Sequence, residues 1–416
     1  MQSSRFESRF RETFGGHRLL VAAMIVDGTG TGLFLPFGVV YFLHTTSLSL
    51  AEVGAGLSGA AIAALPVPVA VGMLIERFGP QRVVVVGNLL SAEAFVGYLF
   101  VDNQWALVVA AFVASTGQAT FWTGTRVLVG LVAGPSRRAN WFALQTTTRN
   151  VGYGLGAIAG AVAVSDGGRT GYLLLAGINA LSYLFAAVLV LRAEVPPSNH
   201  AGGAATDAPA PRHGYRRLLT DQGLLLISSV NVVFVLCTSV LSVLLAVYLS
   251  QVLDAPVWLG GLLFAMDTML VIVGQAVITS RMADRNRSHV LIGAAGAFMV
   301  SFALLAVLAH VPRWLVVPGL VLAVAVFAVA GMLQGPIVNA LAVDMAPPDG
   351  SGKYLAVYQL SWSLGGGMAP ALLSGLLTLG DALPWITLIA CCAATVPALR
   401  SRPLAMHAQA EALSPS

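Results

Sequence analysis

Long apolar runs separated by short charged or Pro/Gly-rich breaks dominate the chain. Cutting at those breaks leaves segments near 19–43, 51–75, 83–101, 105–133, 141–164 and 170–191, a polar stretch, and a second set near 222–250, 257–280, 288–310, 314–342, 354–379 and 383–399. Each is about the 17 to 25 residues, or slightly more, that a tilted helix uses to cross the hydrocarbon. The pattern predicts twelve transmembrane helices in two blocks of six. The first run follows Arg5, Arg9, Arg11 and Arg18, but at about 25 residues, with more spans behind it, it predicts an uncleaved first helix rather than a signal peptide.

Composition agrees. Apolar residues make up 57% of the 416 and charged residues 10%, with a mean hydropathy of +0.82, which excludes an ordinary soluble protein. The net charge of +4 is a matter of topology rather than of nucleic-acid binding, because cytoplasmic loops retain Lys and Arg. With the N-terminus inside, cytoplasmic segments hold 18 of the 22 basic residues, the opposite loops hold only Arg169 and Arg313, and Arg126 and Arg149 lie within spans. That asymmetry predicts both termini in the cytoplasm. Cys237, Cys391 and Cys392 lie in apolar runs without metal-ligand spacing, and the seven histidines form no cluster. No G-x-x-x-x-G-K-[ST] loop is present, which argues against ATP-driven pumping and against an enzyme, and no cofactor is expected.

The two blocks repeat each other. Glu76-Arg77 in "GMLIERFGPQR" and Asp284-Arg285 in "SRMADRNRSH" lie 208 residues apart, half the chain. "NWFALQTTTRNVGYGLGA" from 140 and "KYLAVYQLSWSLGGGMAP" from 353 each open a span with an aromatic residue and reach a glycine cluster at the same distance. Repeated six-helix bundles are one design of secondary transporters. The expected architecture is an all-α membrane protein of two pseudo-symmetric bundles: residues 1–191, a cytoplasmic linker at 192–221, and residues 222–416 with a short tail.

"GMLIERFGPQR" resembles the signature loop of the major facilitator superfamily, G-x-L-x-D-R-x-G-R-[RK]-x. Gly72, Leu74, Arg77, Gly79 and Arg82 match; Glu76 stands for the usual Asp, and Pro80 and Gln81 for more basic positions. The resemblance implies a cytoplasmic gate loop in which Glu76 helps to lock the inner side; a plain charged turn is the simpler alternative. "TGTRVLVG" resembles the family's fourth-helix motif in the spacing of Arg126 to Gly130, with Val129 where Gln is common, and it ties Arg126 to proton coupling. The antiporter motif of the fifth helix is partly matched by Gly152, Gly156 and Gly160, without its proline.

Charges within the spans are the candidate chemistry. Asp27, Glu93, Arg126 and Arg149 lie 9 to 11 residues from the nearest cytoplasmic arginines, which is about 14 to 17 Å of helix. Charges at matched depth compensate one another, since a lone one is costly in hydrocarbon. They form either a static structural network or a coupling site. The resemblance puts Asp27 and Arg126 on cavity-lining helices and Glu93 on a peripheral one. Asp267, midway along the eighth span, is either a second titrating site or a hydrogen-bonded core acid. Asn231 and Phe234 in the seventh span, Gln334 and Asn339 in the tenth, and Tyr358, Gln359 and Trp362 in the eleventh are cavity candidates, each with helix packing as its alternative. The expected function is proton-coupled efflux of a lipophilic small molecule by alternating access. The alternatives are proton symport of an organic solute and a non-transporting membrane sensor. Expected partners are a small-molecule substrate, protons and membrane lipids, with no nucleic acid, and a monomer in the plasma membrane is expected.

Overall fold

The computed structural model describes residues 17–166, 168–195, 221–282, 285–345 and 351–400. Among them the secondary structure is helical throughout. Among the described residues eight helices are long and apolar enough to cross a membrane, and a ninth span arises if the pair Leu50–Ala63 and Val67–Phe78, bent by 45°, is counted as one. The linker at 196–220 lies outside the described residues. The chain divides into two compact units, Met1–Leu35 with Ala63–Gly202, and Pro36–Ile62 with Gly203–Ser416. Residues 36–62, which the sequence counts with the first six spans, thus group with the second half of the chain.

In the first unit, α1 (Arg18–Phe34), α4 (Val67–Phe78), α5 (Pro80–Tyr98), α6 (Gln104–Ala163) and α7 (Arg169–Arg192) pack together. The turn between α4 and α5 is made by Gly79 at φ 83°, a conformation available to glycine at little cost. Pro80 then supplies a fixed φ for the first turn of α5. Gln81, a departure from the signature, donates its side-chain N–H groups to the carbonyls of Val190 (2.9 Å) and Ala193 (2.8 Å). It therefore adds hydrogen bonds to backbone acceptors at the end of α7.

The fourth and fifth spans differ from expectation at their boundary. The sequence predicts a break around Pro135, whereas α6 is assigned as one helix of 60 residues. The two arms are nonetheless antiparallel neighbours. The Arg149 guanidinium lies 5.0 Å from the ring centre of Trp122, yet 27 residues of straight helix cover about 40 Å. The element doubles back between these residues. Val129 and Trp141, on the two sides of the reversal, share one apolar cluster with Val21 and Met24.

In the second unit, α2 (Gly38–Thr45) and α3 (Leu50–Ala63) accompany α8 (Gln222–Thr238), α9 (Val240–Val243), α10 (Leu245–Gln251), α11 (Trp258–Met282), α12 (Arg287–Val307), α13 (Arg313–Asp344), α14 (Ser351–Leu379) and α15 (Leu383–Leu399). The seventh span is thus three short helices. An aromatic core joins Phe298 to Phe327 and Phe302 to Trp385. Tyr248 stacks edge-on against Trp385 and donates its hydroxyl to the Leu305 carbonyl at 2.9 Å. Pro370, inside α14, cannot donate to the helical ladder. At this point α3 docks: a Cβ on Gly54 would sit 2.6 Å from the Pro370 carbonyl oxygen, and the Ala371 N–H donates to the Ser58 hydroxyl at 2.8 Å. Cys237 and Cys392, 155 residues apart, bring their sulfurs to 3.4 Å as buried free thiols, a proximity that spacing along the chain does not reveal.

Candidate functional site

Asp27 is 8% exposed near the middle of α1. The glycines that follow it have a defined use. A Cβ on Gly28 would lie 3.2 Å from the Arg149 carbonyl oxygen and 3.3 Å from its Cα. A Cβ on Gly152 would lie 2.8 Å from the carbonyl carbon of Gly28 and from the amide nitrogen of Thr29. One turn on, Gly156 and Gly32 repeat the arrangement, the former against Leu33 and Thr29 and the latter against the Tyr153 backbone. Here α1 and the second arm of α6 meet backbone to backbone, the close approach that small residues permit in membranes. Gly30 faces α7 instead, where a Cβ would lie 2.7 Å from Asn179 Oδ1.

This crossing sets Asp27 beside Arg149. Arg149, Tyr153 and Tyr183 are electrostatic neighbours of the carboxylate. Arg149 makes no direct salt bridge among the described residues. Its guanidinium instead lies over the rings of Trp122 at 5.0 Å and Tyr153 at 5.7 Å, and its buried Nε lacks a hydrogen-bond partner. A guanidinium on aromatic faces keeps its charge while committing few of its donors. Tyr183 shares a hydrogen bond with the Thr31 hydroxyl at 3.1 Å. Trp122 and Tyr153, which the sequence reading missed, were findable: one lies four residues before Arg126 and the other four after Arg149, positions that adjoin on a helix.

The other expected charges are placed differently. Arg126, one turn beyond Trp122, is exposed. Glu93 is also exposed, on α5, in a groove that contains neither Asp27 nor Arg149. Asp267 is half-buried on α11 of the second unit. In the signature loop, Glu76, Arg77 and Arg82 are exposed, and the Arg77 guanidinium lies 5.1 Å from the Phe78 ring centre. Gly72 has open space around it.

The second unit assembles most of the remaining candidates. Fully buried Asn231 donates to the Ser361 hydroxyl at 2.8 Å. The Tyr358 hydroxyl donates to Asn339 Oδ1 at 3.1 Å and accepts from Trp362 Nε1 at 3.3 Å. Asn339 is exposed and Trp362 half-buried, so this chain of polar groups reaches the surface of the unit. Gln334 is buried with its amide nitrogen unpartnered, and Gln359 is half-buried. Phe234 is fully buried against Phe298, with ring centres 6.0 Å apart, and serves the core.

Comparison with known proteins places this geometry. A relative from Planococcus maritimus, described as a Na(+), Li(+), K(+)/H(+) antiporter, is 24% identical over 82% of this chain and 85% of its own. A variant of the nucleoside transporter NupG superposes with a TM-score of 0.75 at 13% identity, covering 92% of this chain and 98% of that one. A D-xylose-proton symporter does so with a TM-score of 0.71 at 14% identity over 91% and 95%. The family model described as Major Facilitator Superfamily matches residues 20–370, in agreement with the all-helical architecture, and the chain is a member of the Major Facilitator Superfamily, a membrane transporter.

Proposed function

We propose that this chain is a proton-coupled exporter of lipophilic small molecules, working by alternating access as a monomer in the plasma membrane, with both termini and the linker in the cytoplasm. The observation that carries the reading is the buried Asp27 beside an Arg149 that is held by rings rather than by a salt bridge. A proton arriving on Asp27 removes the charge that attracts Arg149, and its departure restores it. Arg149 then has two resting places, carboxylate and aromatic faces, between which protonation chooses. Within the first unit Trp122 and Tyr153 are aromatic groups suited to an apolar substrate. Few fixed charges and several rings suit an apolar cargo. The orientation is supported by the loop charge bias, and the outer-side Arg313 is paired with Asp254 at 2.9 Å.

A second reading, exchange of a monovalent metal cation for protons at the same carboxylate, is favoured by the name of the Planococcus maritimus relative. Proton symport of an organic solute, the chemistry named for the xylose neighbour, uses the same acid in the opposite direction. Inside-out vesicles with a pH-sensitive dye, challenged in turn with Na⁺, Li⁺, K⁺ and a panel of lipophilic compounds, separate the three. Asp27→Asn is expected to abolish proton-coupled movement while preserving expression and exchange, because the amide mimics the protonated acid. Normal coupled transport by this variant would reduce Asp27 to a structural member and move the coupling role to Asp267 or Glu93.

A further inference from the structure

The site described above leaves Asn88 unused. It is 1% exposed on α5, and neither its amide nitrogen nor its amide oxygen has a hydrogen-bond partner. Buried polar groups are almost always bonded, to protein or to ordered water, so an amide orphaned at both ends points to a partner other than a side chain. Two contacts fix where it stands. Along α5, Val84, Asn88, Ser91 and Phe95 are buried at spacings of four, three and four residues, one face of the helix. Along α1, Ala23, Asp27, Gly30 and Phe34 are buried at the same spacings. At one end Ala23 and Val84 belong to one apolar cluster with Leu128, Ala186 and Val190; at the other the Phe34 and Phe95 rings meet edge to face at 4.7 Å. These two contacts are eleven residues apart on both helices, and Asp27 and Asn88 each lie four residues beyond the first. Asn88 is therefore the residue of α5 that stands across the core from Asp27.

Helices α1 and α5 both pack on α6 and α7 and face one another diagonally between them. Where Phe34 and Phe95 meet, long side chains close that diagonal. Asp27 and Asn88 have short ones, and the unpartnered amide shows that they do not bond directly. The other two helices bring polar atoms to the same core. Thr125, on the α6 stripe between Phe121 and Leu128, is 3% exposed with an unpartnered hydroxyl. Asn179, fully buried on α7 against Gly30, has an unpartnered amide nitrogen. A carboxylate, two amides and a hydroxyl mix acceptors with donors. Water answers both, whereas a metal cation would leave every N–H unanswered.

We propose that Asn88 is a positioning residue for proton exchange at Asp27: its amide holds a water against the carboxyl group, and the proton passes between that water and a carboxylate oxygen. An O–H bond breaks on one oxygen and forms on the other, with no electron transferred. Transfer through one water is within the reach that acid–base chemistry needs. The other titratable groups near Asp27 are committed elsewhere. The Arg149 guanidinium lies on the rings of Trp122 and Tyr153, the Tyr183 hydroxyl is bonded to Thr31, and Glu93 on α5 and Arg126 on α6 are exposed. The inference rests on the coupling reading of Asp27 and deepens it by naming the group through which the proton is delivered.

The test is infrared difference spectroscopy of the full chain in phosphatidylcholine nanodiscs during a pH titration, with protons as the only ligand. The carboxyl C=O band lost in Asp27→Asn belongs to Asp27. In the parent it is expected at the low frequency of a hydrogen-bonded carbonyl, accompanied by a water O–H band that shifts in water enriched in oxygen-18. Asn88→Leu and the smaller Asn88→Val, which leave no polar atom at this position, are expected to move the carboxyl band to higher frequency and to abolish the water band. Asn88→Thr, which keeps a hydroxyl, is expected to retain both. An Asp27 band that Asn88→Leu and Asn88→Val leave unmoved overturns the proposal and spares the coupling reading. No Asp27 band at any pH at which the protein stays folded overturns the coupling reading and this proposal with it. A carboxyl shift without the water band overturns the proposal in favour of a direct bond, and one that requires Na⁺, Li⁺ or K⁺ in place of choline overturns it in favour of a bound metal cation.

Discussion

Gly152→Ala puts one methyl group into the crossing that holds Asp27 and Arg149 together. The new Cβ would lie 2.8 Å from the Gly28 carbonyl carbon and the Thr29 nitrogen, and 3.0 Å from the Gly28 Cα. All three are backbone atoms, so no side chain can rotate aside. Ordinary contact starts at 3.4 Å, and reaching it requires α1 and the second arm of α6 to part by about 0.6 Å. Overpacking of this kind costs about 1–3 kcal/mol, only partly offset by the gain of up to about 1 kcal/mol from replacing glycine in a helix. The parting also shifts Asp27 from Arg149, so turnover is expected to fall together with stability. Thermal unfolding of the purified protein and proton-coupled transport in vesicles measure the two effects. Gly177→Ala, on α7 of the same unit with nothing within 4 Å of its Cβ, supplies the comparison and should be neutral or slightly stabilising. A Gly152→Ala variant that matches Gly177→Ala in both assays would refute the claim that this crossing is close-packed and positions the pair.

Three further outcomes are expected. If the loop acts as a gate, Glu76→Gln should lower turnover with little effect on insertion or folding, because Glu76 is exposed and lies outside the core; unchanged turnover would make the loop a plain turn. Ser288→Cys should react with a membrane-impermeant maleimide only from the cytoplasmic side and Asp102→Cys only from outside, and the reverse pattern in intact cells would overturn the orientation. Ser58→Ala, which removes the hydroxyl to which the Ala371 N–H donates, should lower stability by about 0.5–1.5 kcal/mol, and a thermal midpoint unchanged from the parent would show that water or another acceptor replaces the hydroxyl.

Much of this arrangement was legible in the residues, and the exceptions have physical causes. Span lengths and charged breaks locate the helices because hydrocarbon tolerates neither open backbone nor long polar runs. They place a break near Pro135, inside the stretch where the chain reverses, but not that helical structure continues through it, because composition alone does not distinguish a loop from a turned helix. Glycines such as Gly28 and Gly32 serve either free space or close packing, and only the backbone of the opposing helix decides between them. Glu93 shows the limit most clearly. Its distance in residues from the nearest arginine is close to that of Asp27, but burial depends on the direction a residue faces around the helix. In lipid both the core and the outer surface of a bundle are apolar, so the periodicity that sorts inside from outside in water is nearly silent.

The glycine crossing has a mechanical meaning for transport. When repeats of a transporter rock as rigid bodies, helices joined backbone to backbone at Gly28, Gly32, Gly152 and Gly156 travel as one piece. The Cα atoms of Asp27 and Arg149 then keep their separation throughout the cycle. Any switching between them falls to side-chain rotation and to the admission of water, a small and fast event beside the swing of a bundle. The coupling pair would behave as a latch carried on a moving door, not as a hinge across its gap.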